Sequence, residues 1–450
     1  MSTVIEPWKP FSRVILKAAG LVACEHGRQS SCRIEAAQLY NGRVLVQVTI
    51  DGKTNQIRRW VDRCQRFRIS GTLDDGRELA ATDIHWTNYG LLPPDCAESV
   101  LEGFVGRPGC LEVRSSSHRP NKVHSVTYDL TNALLGCKVG PLALGKRGSA
   151  TTLIPSPHHG WVRRRMEALK TSGVLSRVRL AVAEATPPGE LDETVHAVCG
   201  LLTLVYRTPV AIVGEHWRDP VQRATLSRYR EPPFLYASIL PPMVSSEQVG
   251  EFLEVAYGPY VSQWRDWDLP NAVDHYVQAH ALNSAWAQAV GFFTALETLK
   301  EAFLAQDHNR RLERYLPARQ FKRRKIASTI MGVLEHGLRD SVDLSKADRD
   351  SLRGKVGELN RRAYKQILKS MFKELGVAIA DSELRQLNSL RNQIIHRGSP
   401  DCREGPWADQ GEAYRLTARF AGLVEETIMA VLGYHGRFER YDQSLMKRND

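Results

Sequence analysis

The stretch SLRNQIIHRGSP, residues 389–400, sets an arginine beside an asparagine, with a histidine five residues after the arginine. On a helix, Asn392 and His396 are i and i+4 and share a face, and Arg391 borders them. Arginine grips phosphate oxygens through a planar fork, and histidine moves protons near neutral pH, so the trio is equipped for a phosphodiester. Gly398 and Pro400 stop a helix, which puts His396 in the last turn, where the negative end of the dipole favours the imidazolium. The same residues also suit an ordinary helix terminus, where a cation is stabilising without doing any chemistry.

Few other residues compete. Glu297 falls at the border of an apolar face set by Phe293, Leu296 and Leu304, an unfavourable place for an unpaired carboxylate, with Lys300 one turn on as its local partner. His158 and His159 in PHHG have no ligands at metal spacing and read as an exposed loop. The cysteines (Cys24, Cys32, Cys64, Cys96, Cys110, Cys137, Cys199 and Cys402) contain no CxxC and are scattered, as in reduced intracellular proteins. Cys24, His26 and Cys32 form the tightest group. Zinc wants four ligands in short-spaced pairs, and no second pair exists, so the expectation is no metal, with a zinc-dependent regulatory protein as a rival reading. No Gly-rich phosphate loop, GxSxG or HExxH occurs.

Charge points the same way as the motif. The chain carries a formal charge of +11, and a basic balance favours polyanionic partners. Between Arg310 and Lys373 stand 18 lysines and arginines against 7 acids, so the excess is confined to one segment. Arg310, Arg311, Lys322, Arg323, Arg324, Lys325, Arg361 and Arg362 are the candidate phosphate contacts, and a solvated helix face is the plainer alternative. Tyr315, Phe321 and Tyr364, set among these cations, can stack on bases, and each also reads as core.

The elements that must position these residues fall into an α+β order. Residues 1–185 read as a β-rich domain, sandwich or barrel-like. GRVLVQVTIDGK (42–53), the stretch from Arg66 to Trp86 around Asp75-Gly76, and KVHSVTYDL (122–130) all alternate apolar with polar residues, two of them beside Asp-Gly turns. Residues 186–270 read as a bridging region, with one helical pattern between Pro188 and Pro209. From 271 to 440 the apolar period is helical. It predicts a first helix through AVDHYVQAHALNSAWAQAVGFFTALETLKEAFL, a basic one over 321–338, a third over 345–375, a fourth capped by Asp381 and carrying the motif, and a last over 410–433. Leu384, Leu387, Leu390 and Ile394 form the buried stripe of the fourth. The N-terminus carries charges at Glu6, Lys9, Arg13 and Lys17, and no apolar run approaches a membrane span, so a soluble, cytoplasmic protein is expected.

RNQIIH resembles the R-(N/D/H)-x3-H signature of the HEPN superfamily, all-α domains many of which are metal-independent ribonucleases. FFTALETLKEAF resembles their first long helix, and VLGYHGRF a common ending. The layout of a β-rich half followed by a helical half is similar to the ApeA-like anti-phage proteins. The resemblance implies a HEPN-type bundle and an endoribonuclease of abortive infection that needs no cofactor, cutting RNA (tRNA among the candidates). Arg391 would then bind the scissile phosphate, and Asn392 would orient it or the histidine. His396 would be general acid or base toward a ribose 2′-OH. Glu297 would pack near the motif, holding Arg391 structurally or taking part in catalysis. One histidine falls short of an acid-plus-base pair, so a homodimer or higher even oligomer would supply the second. The N-terminal half would sense infection through a phage-derived trigger. The rival is a non-catalytic RNA-binding or dimerisation scaffold.

Overall fold

The computed structural model describes residues 12–50, 66–88, 102–108, 110–115, 122–145, 149–157, 159–169, 172–218, 225–234, 240–316, 318–338, 345–397 and 407–444. The chain divides into two compact units, Met1–Tyr257 and Gly258–Asp450. Antiparallel strands dominate the first and helices the second, an α+β arrangement. No described helix is long and apolar enough to cross a membrane.

In the first unit the strands are β1 (Ser12–Cys24), β2 (Gln29–Leu39), β3 (Val44–Ile50), β4 (Phe67–Leu73), β5 (Glu78–Asn88), β6 (Glu102–Arg107), β7 (Cys110–Arg114), β8 (Val123–Thr131), β9 (Val139–Leu144), β10 (Ser149–Pro155), β11 (Val174–Thr186), β12 (Ile212–Arg218) and β13 (Thr225–Arg230). Pairing runs β4-β1-β2-β3-β6-β5, and β5 pairs back onto β4, which closes a ring. From β5 the sheet continues through β7, β13, β12, β8, β11 and β10 to β9. The ring closes around alternate residues: Leu16, Ala18 and Val22 of β1, Ile34 and Ala36 of β2, Val46, Val48 and Ile50 of β3, and Phe67 and Ile69 of β4. That is the period of two written in the sequence. Gly20 and Gly71 face one another across β1 and β4. A Cβ at Gly20 would lie 2.0 Å from the Ser70 carbonyl oxygen, so only glycine allows that approach.

The segment 186–270 contributes to both sheet and helix. It supplies α2 (Pro188–Tyr206), with proline in its first turn, and the strands β12 and β13, which lie between β7 and β8 in the sheet. The PHHG stretch, expected as a loop, opens α1 (His159–Leu169), and His158 lies outside the described residues. The helix near 250 is α3 (Val249–Gln263).

One buried acid ties four strands together. Asp129 of β8 has no exposed side-chain surface, and it accepts from Arg13 of β1 at 2.5 Å, Arg177 of β11 at 2.8 Å and His216 of β12 at 2.6 Å. Gly214, its cross-strand neighbour, leaves it room, because a Cβ there would sit 2.5 Å from the carboxylate. Burial opposes the charge. The bond from His216 and the Arg13 guanidinium outweigh it and hold the carboxyl well below the usual range.

In the second unit the helices are α4 (Leu269–His280), α5 (Ala285–Ala305), α6 (Ala318–Arg323), α7 (Ile326–Leu338), α8 (Lys346–Glu358), α9 (Tyr364–Leu375), α10 (Asp381–Arg397) and α11 (Gln410–Val431). Three of the expected helices are each divided in two. Ser284 is extended and its hydroxyl accepts from Ala287 N–H, so the first stretch restarts there. Lys325 stands at φ +51° between α6 and α7, and extended Ala363 begins α9 afresh. Asp381 lies one residue inside α10, and the Glu383 carboxylate accepts the Ala380 N–H in its place. The core joins Phe292, Leu296 and Phe303 of α5 to Leu368 and Phe372 of α9, Leu384, Leu387 and Leu390 of α10, and Phe420 and Val424 of α11. At the end of α11, Glu426 pairs with Arg440, which also holds Asp442 at 2.5 Å.

Candidate active site

Helix α10 carries the motif, and its first turn is fastened by charge. Arg419 of α11 donates to both oxygens of Glu383, at 2.5 and 3.1 Å. The bond from Arg419 holds the Glu383 carboxyl below its ordinary value. Lys369 of α9 bonds Asp381 at 3.0 Å. Leu384, Leu387 and Leu390 bury the stripe between these ties and the motif. The far end of the helix is thereby set in rotation as well as in position.

At that far end Arg391 reaches α5. Its Nε donates to Glu297 Oε1 at 3.1 Å, and the other carboxylate oxygen of Glu297 accepts from Lys300 Nζ at 2.6 Å. Lys300 also pairs with Glu301 at 2.7 Å. Beneath both cations lies the ring of Tyr364, 4.5 Å from the Arg391 guanidinium and 5.2 Å from the Lys300 ammonium. Phe293 stacks beside that ring. Burial, and then the Glu297 charge, push the Tyr364 hydroxyl far above the ordinary tyrosine value. Among the described residues the two Nη groups of Arg391 have no hydrogen-bond partner, so the outer edge of the fork is uncommitted.

That edge faces a cleft of about 670 Å³, lined by Arg391, Lys300, Arg310, Arg361 and Arg362 with Glu301, Glu313, Leu304, Ala305, Tyr364 and Ile367. One wall is the segment 310–316 pinned to 360–362. Arg314 bridges Arg361, Arg362 N–H donates to the Glu313 carbonyl, and Asn360 clamps the Leu316 backbone through both ends of its amide. Five cations and two acids line the cleft, and Glu297 and Asp307 beside it pair with three of the five, so it is basic by a small margin.

Each residue singled out in the sequence can now be located. Arg391 and Glu297 meet, and Asn392 is exposed on the surface of α10. His396 lies in the last turn of that helix, with its side chain outside the described part, as are the side chain of Ile394 and all of Gly398 and Pro400. Arg310, Arg361 and Arg362 line the cleft. Arg311, Arg324 and Lys325 are exposed away from its lining, and the side chains of Lys322 and Arg323 lie outside the described part. Of the aromatics, Tyr364 is core-like and buried, whereas Tyr315 is 52% exposed beneath Arg362. Lys300, expected as the local partner of Glu297, is bonded to it one turn away, as the i, i+3 spacing implies.

Cys24 and Cys32 belong to the apolar filling of the β1–β6 ring, and His26 is exposed in the turn between β1 and β2. Among the described residues no group of three His, Cys, Asp or Glu side chains is arranged to hold a metal ion. Comparison with protein-family models, curated proteins and solved structures returned no match.

Proposed function

We propose that the protein is a HEPN-type endoribonuclease of ApeA-like anti-phage defence. The observation that carries the reading is Arg391, which is fixed through Nε by a carboxylate that Lys300 also holds, while its outer edge is open to a cleft lined by four further cations. Such an arginine takes two oxygens of one phosphate and withdraws charge from phosphorus. His396, one turn beyond Asn392, removes the proton from a ribose 2′-OH. The alkoxide attacks the adjacent phosphorus, the P–O5′ bond breaks, and the leaving 5′ oxygen takes a proton. A 2′,3′-cyclic phosphate and a 5′-OH end result. The substrate is RNA, tRNA among the candidates, because the nucleophile is the 2′-OH that DNA lacks. A second copy of the chain supplies the second histidine, so that one acts as base and the other as acid.

His396→Ala tests this. Activated wild-type protein should cut labelled RNA and the variant should not, with unchanged circular dichroism and oligomeric mass. If both leave the RNA equally intact under activating conditions, the enzyme reading fails. The same cleft then belongs to a non-catalytic RNA-binding or dimerisation scaffold, for which the half-exposed Arg391–Glu297 pair is an inter-helix tie.

A further inference from the structure

An aromatic ring stands in solvent on the wall of the cleft. Tyr315 is 52% exposed, more than Trp161, Trp264 or Tyr414, the other aromatic side chains that the described surface leaves most open. Exposure alone is ordinary, but this ring is held. The Tyr315 N–H donates to the Asn360 carbonyl at 2.8 Å, and the buried Asn360 amide brackets the backbone of the next residue, Leu316, at 2.9 and 2.7 Å. At the other end the Tyr315 hydroxyl donates to Gln366 Oε1 at 2.8 Å. The Arg362 guanidinium lies 5.6 Å from the ring centroid. A phenol has two side-chain torsions, and backbone and hydroxyl together fix both. With Arg362 over one face, a second flat group can be received on the other.

We infer that Tyr315 is a platform on which an unpaired nucleobase stacks, flanking the phosphate that Arg391 takes. Arg362 joins the two sites, because it lines the cleft beside Arg391 and also covers the ring. Glu313 and Arg361, on the same pinned wall, line the cleft as well. A ligand that uses both a basic cleft and a flat ring is a chain of phosphates that carries bases. An apolar peptide would use the ring and leave the cations idle. Aromatic rings and arginine planes are the surfaces on which single-stranded RNA lays its bases. In a duplex each base is already stacked and paired, so the ring selects loops, bulges and ends. Stacking tolerates any base, and the platform sets strandedness more than sequence.

The inference rests on the proposed RNA substrate but not on cleavage, and its test uses strands that cannot be cut. Three fluorescent ligands are titrated with the full-length protein and followed by anisotropy: a 2′-fluoro single strand about 12 nucleotides long, its duplex, and a tetrahydrofuran-phosphate strand of the same length, which keeps the charge without the bases. Tyr315→Leu should weaken the base-bearing single strand about tenfold. It should leave the duplex and the baseless strand as they bind wild type. Tyr315→Phe keeps the ring and should stay within about twofold on all three ligands. Arg361→Gln should weaken all three alike and shallow their salt dependence by about 0.7–0.9 log units per log unit of salt. Circular dichroism should be unchanged in each variant.

Equal weakening of the baseless strand by Tyr315→Leu would show that the ring only props Arg362, and would overturn the platform. Wild-type affinity of Tyr315→Leu for the base-bearing strand would overturn it too, as would failure of the wild type to prefer that strand over the baseless one. Unmodified RNA run in parallel separates the two ideas. If the base-dependent loss appears while activated wild type leaves 2′-OH RNA intact, the platform stands and the ribonuclease reading falls. If RNA is cut and the loss is absent, the reverse holds.

Discussion

Replacing Glu297 with glutamine separates positioning from stability, because the isosteric amide fills the same space but offers one acceptor oxygen to two donors and no charge to hold Arg391 in place. Both partners are about a third exposed, at 30% and 31%. For such pairs solvent screening holds the net stabilisation to about 1 kcal/mol or less. Lys300, 8% exposed, keeps Glu301 as its counter-charge, so no ammonium is stranded. The fold should therefore survive, with Tm lower by a few degrees. Function should split. A carboxylate about 7 Å from a bound phosphate, at an effective dielectric between about 40 and 80, opposes binding by about 0.6–1.2 kcal/mol. Its removal should tighten RNA binding about three- to eightfold. The guanidinium it oriented would then wander, and about 1 Å of misplacement lowers turnover on the order of 100-fold. Steady-state kinetics on a labelled oligoribonucleotide should show KM and kcat falling together. An unchanged kcat would refute the orienting role, and a collapse of the thermal transition would show that the pair is structural.

Two further outcomes follow from the charges buried elsewhere. Asp129→Asn leaves Arg13, Arg177 and His216 around a neutral amide and should cost about 3 kcal/mol in chemical denaturation at pH 7, near the low end for a broken buried pair because Arg177 is 42% exposed. The Asp129 carboxyl is held below its ordinary value of 3.8, so that advantage is present above about pH 4 and shrinks as the pH falls further; an equal deficit at pH 2 and pH 7 would contradict it. Glu426 behaves oppositely. Burial, assisted by the Asp442, Glu383 and Glu425 carboxylates and opposed by Arg419, raises it from 4.5 to about 7. The folded state then keeps a proton that the unfolded chain releases, and stability declines as pH rises from about 4.5 to about 7. Glu426→Gln should flatten that decline while also removing the partner of Arg440, so the slope of Tm against pH is the readout, and parallel Tm curves for the two proteins would count against it.

Alternation made the strands legible in sequence, although only β4 turns a single face to the interior while β3 and the second half of β8 are covered on both, and an Asp-Gly turn at 75–76 fixed one hairpin. Pairing order was not legible. β7 pairs with β13, more than a hundred residues further on, and nothing in either stretch names the other. The helical breaks were hidden for a different reason. α4 and α5 pack against one another, so the apolar period passes over Ser284 almost undisturbed, and only its capping hydroxyl marks the stop. In the site, Glu297 and Arg391 were readable one at a time, from a carboxylate at an apolar border and an arginine beside a stripe. Tyr364 was read two ways, as stacking on a base or as core, and it is packed as core beneath Arg391 and Lys300. Asp129 left no mark, because alternation puts it with Ser125 and Thr127 on the face opposite Val126, Tyr128 and Leu130, and nothing in the strand says that this face is also covered.

The two charge clusters differ in a way that bears on where chemistry resides. Both oxygens of Asp129 are engaged by side chains of its own unit, and its surface is wholly withdrawn from solvent. A group so saturated has no bond left to offer a ligand, whatever its charge. Arg391 is the reverse case: one nitrogen is committed, two have no partner among the described residues, and the acid that holds it is shared with Lys300. The cleft cations meet Glu301 and Glu313 within the lining and Glu297 and Asp307 beside it. That uncommitted edge of Arg391 is the physical ground for seeking the reaction there and not at the better-made pair in the sheet.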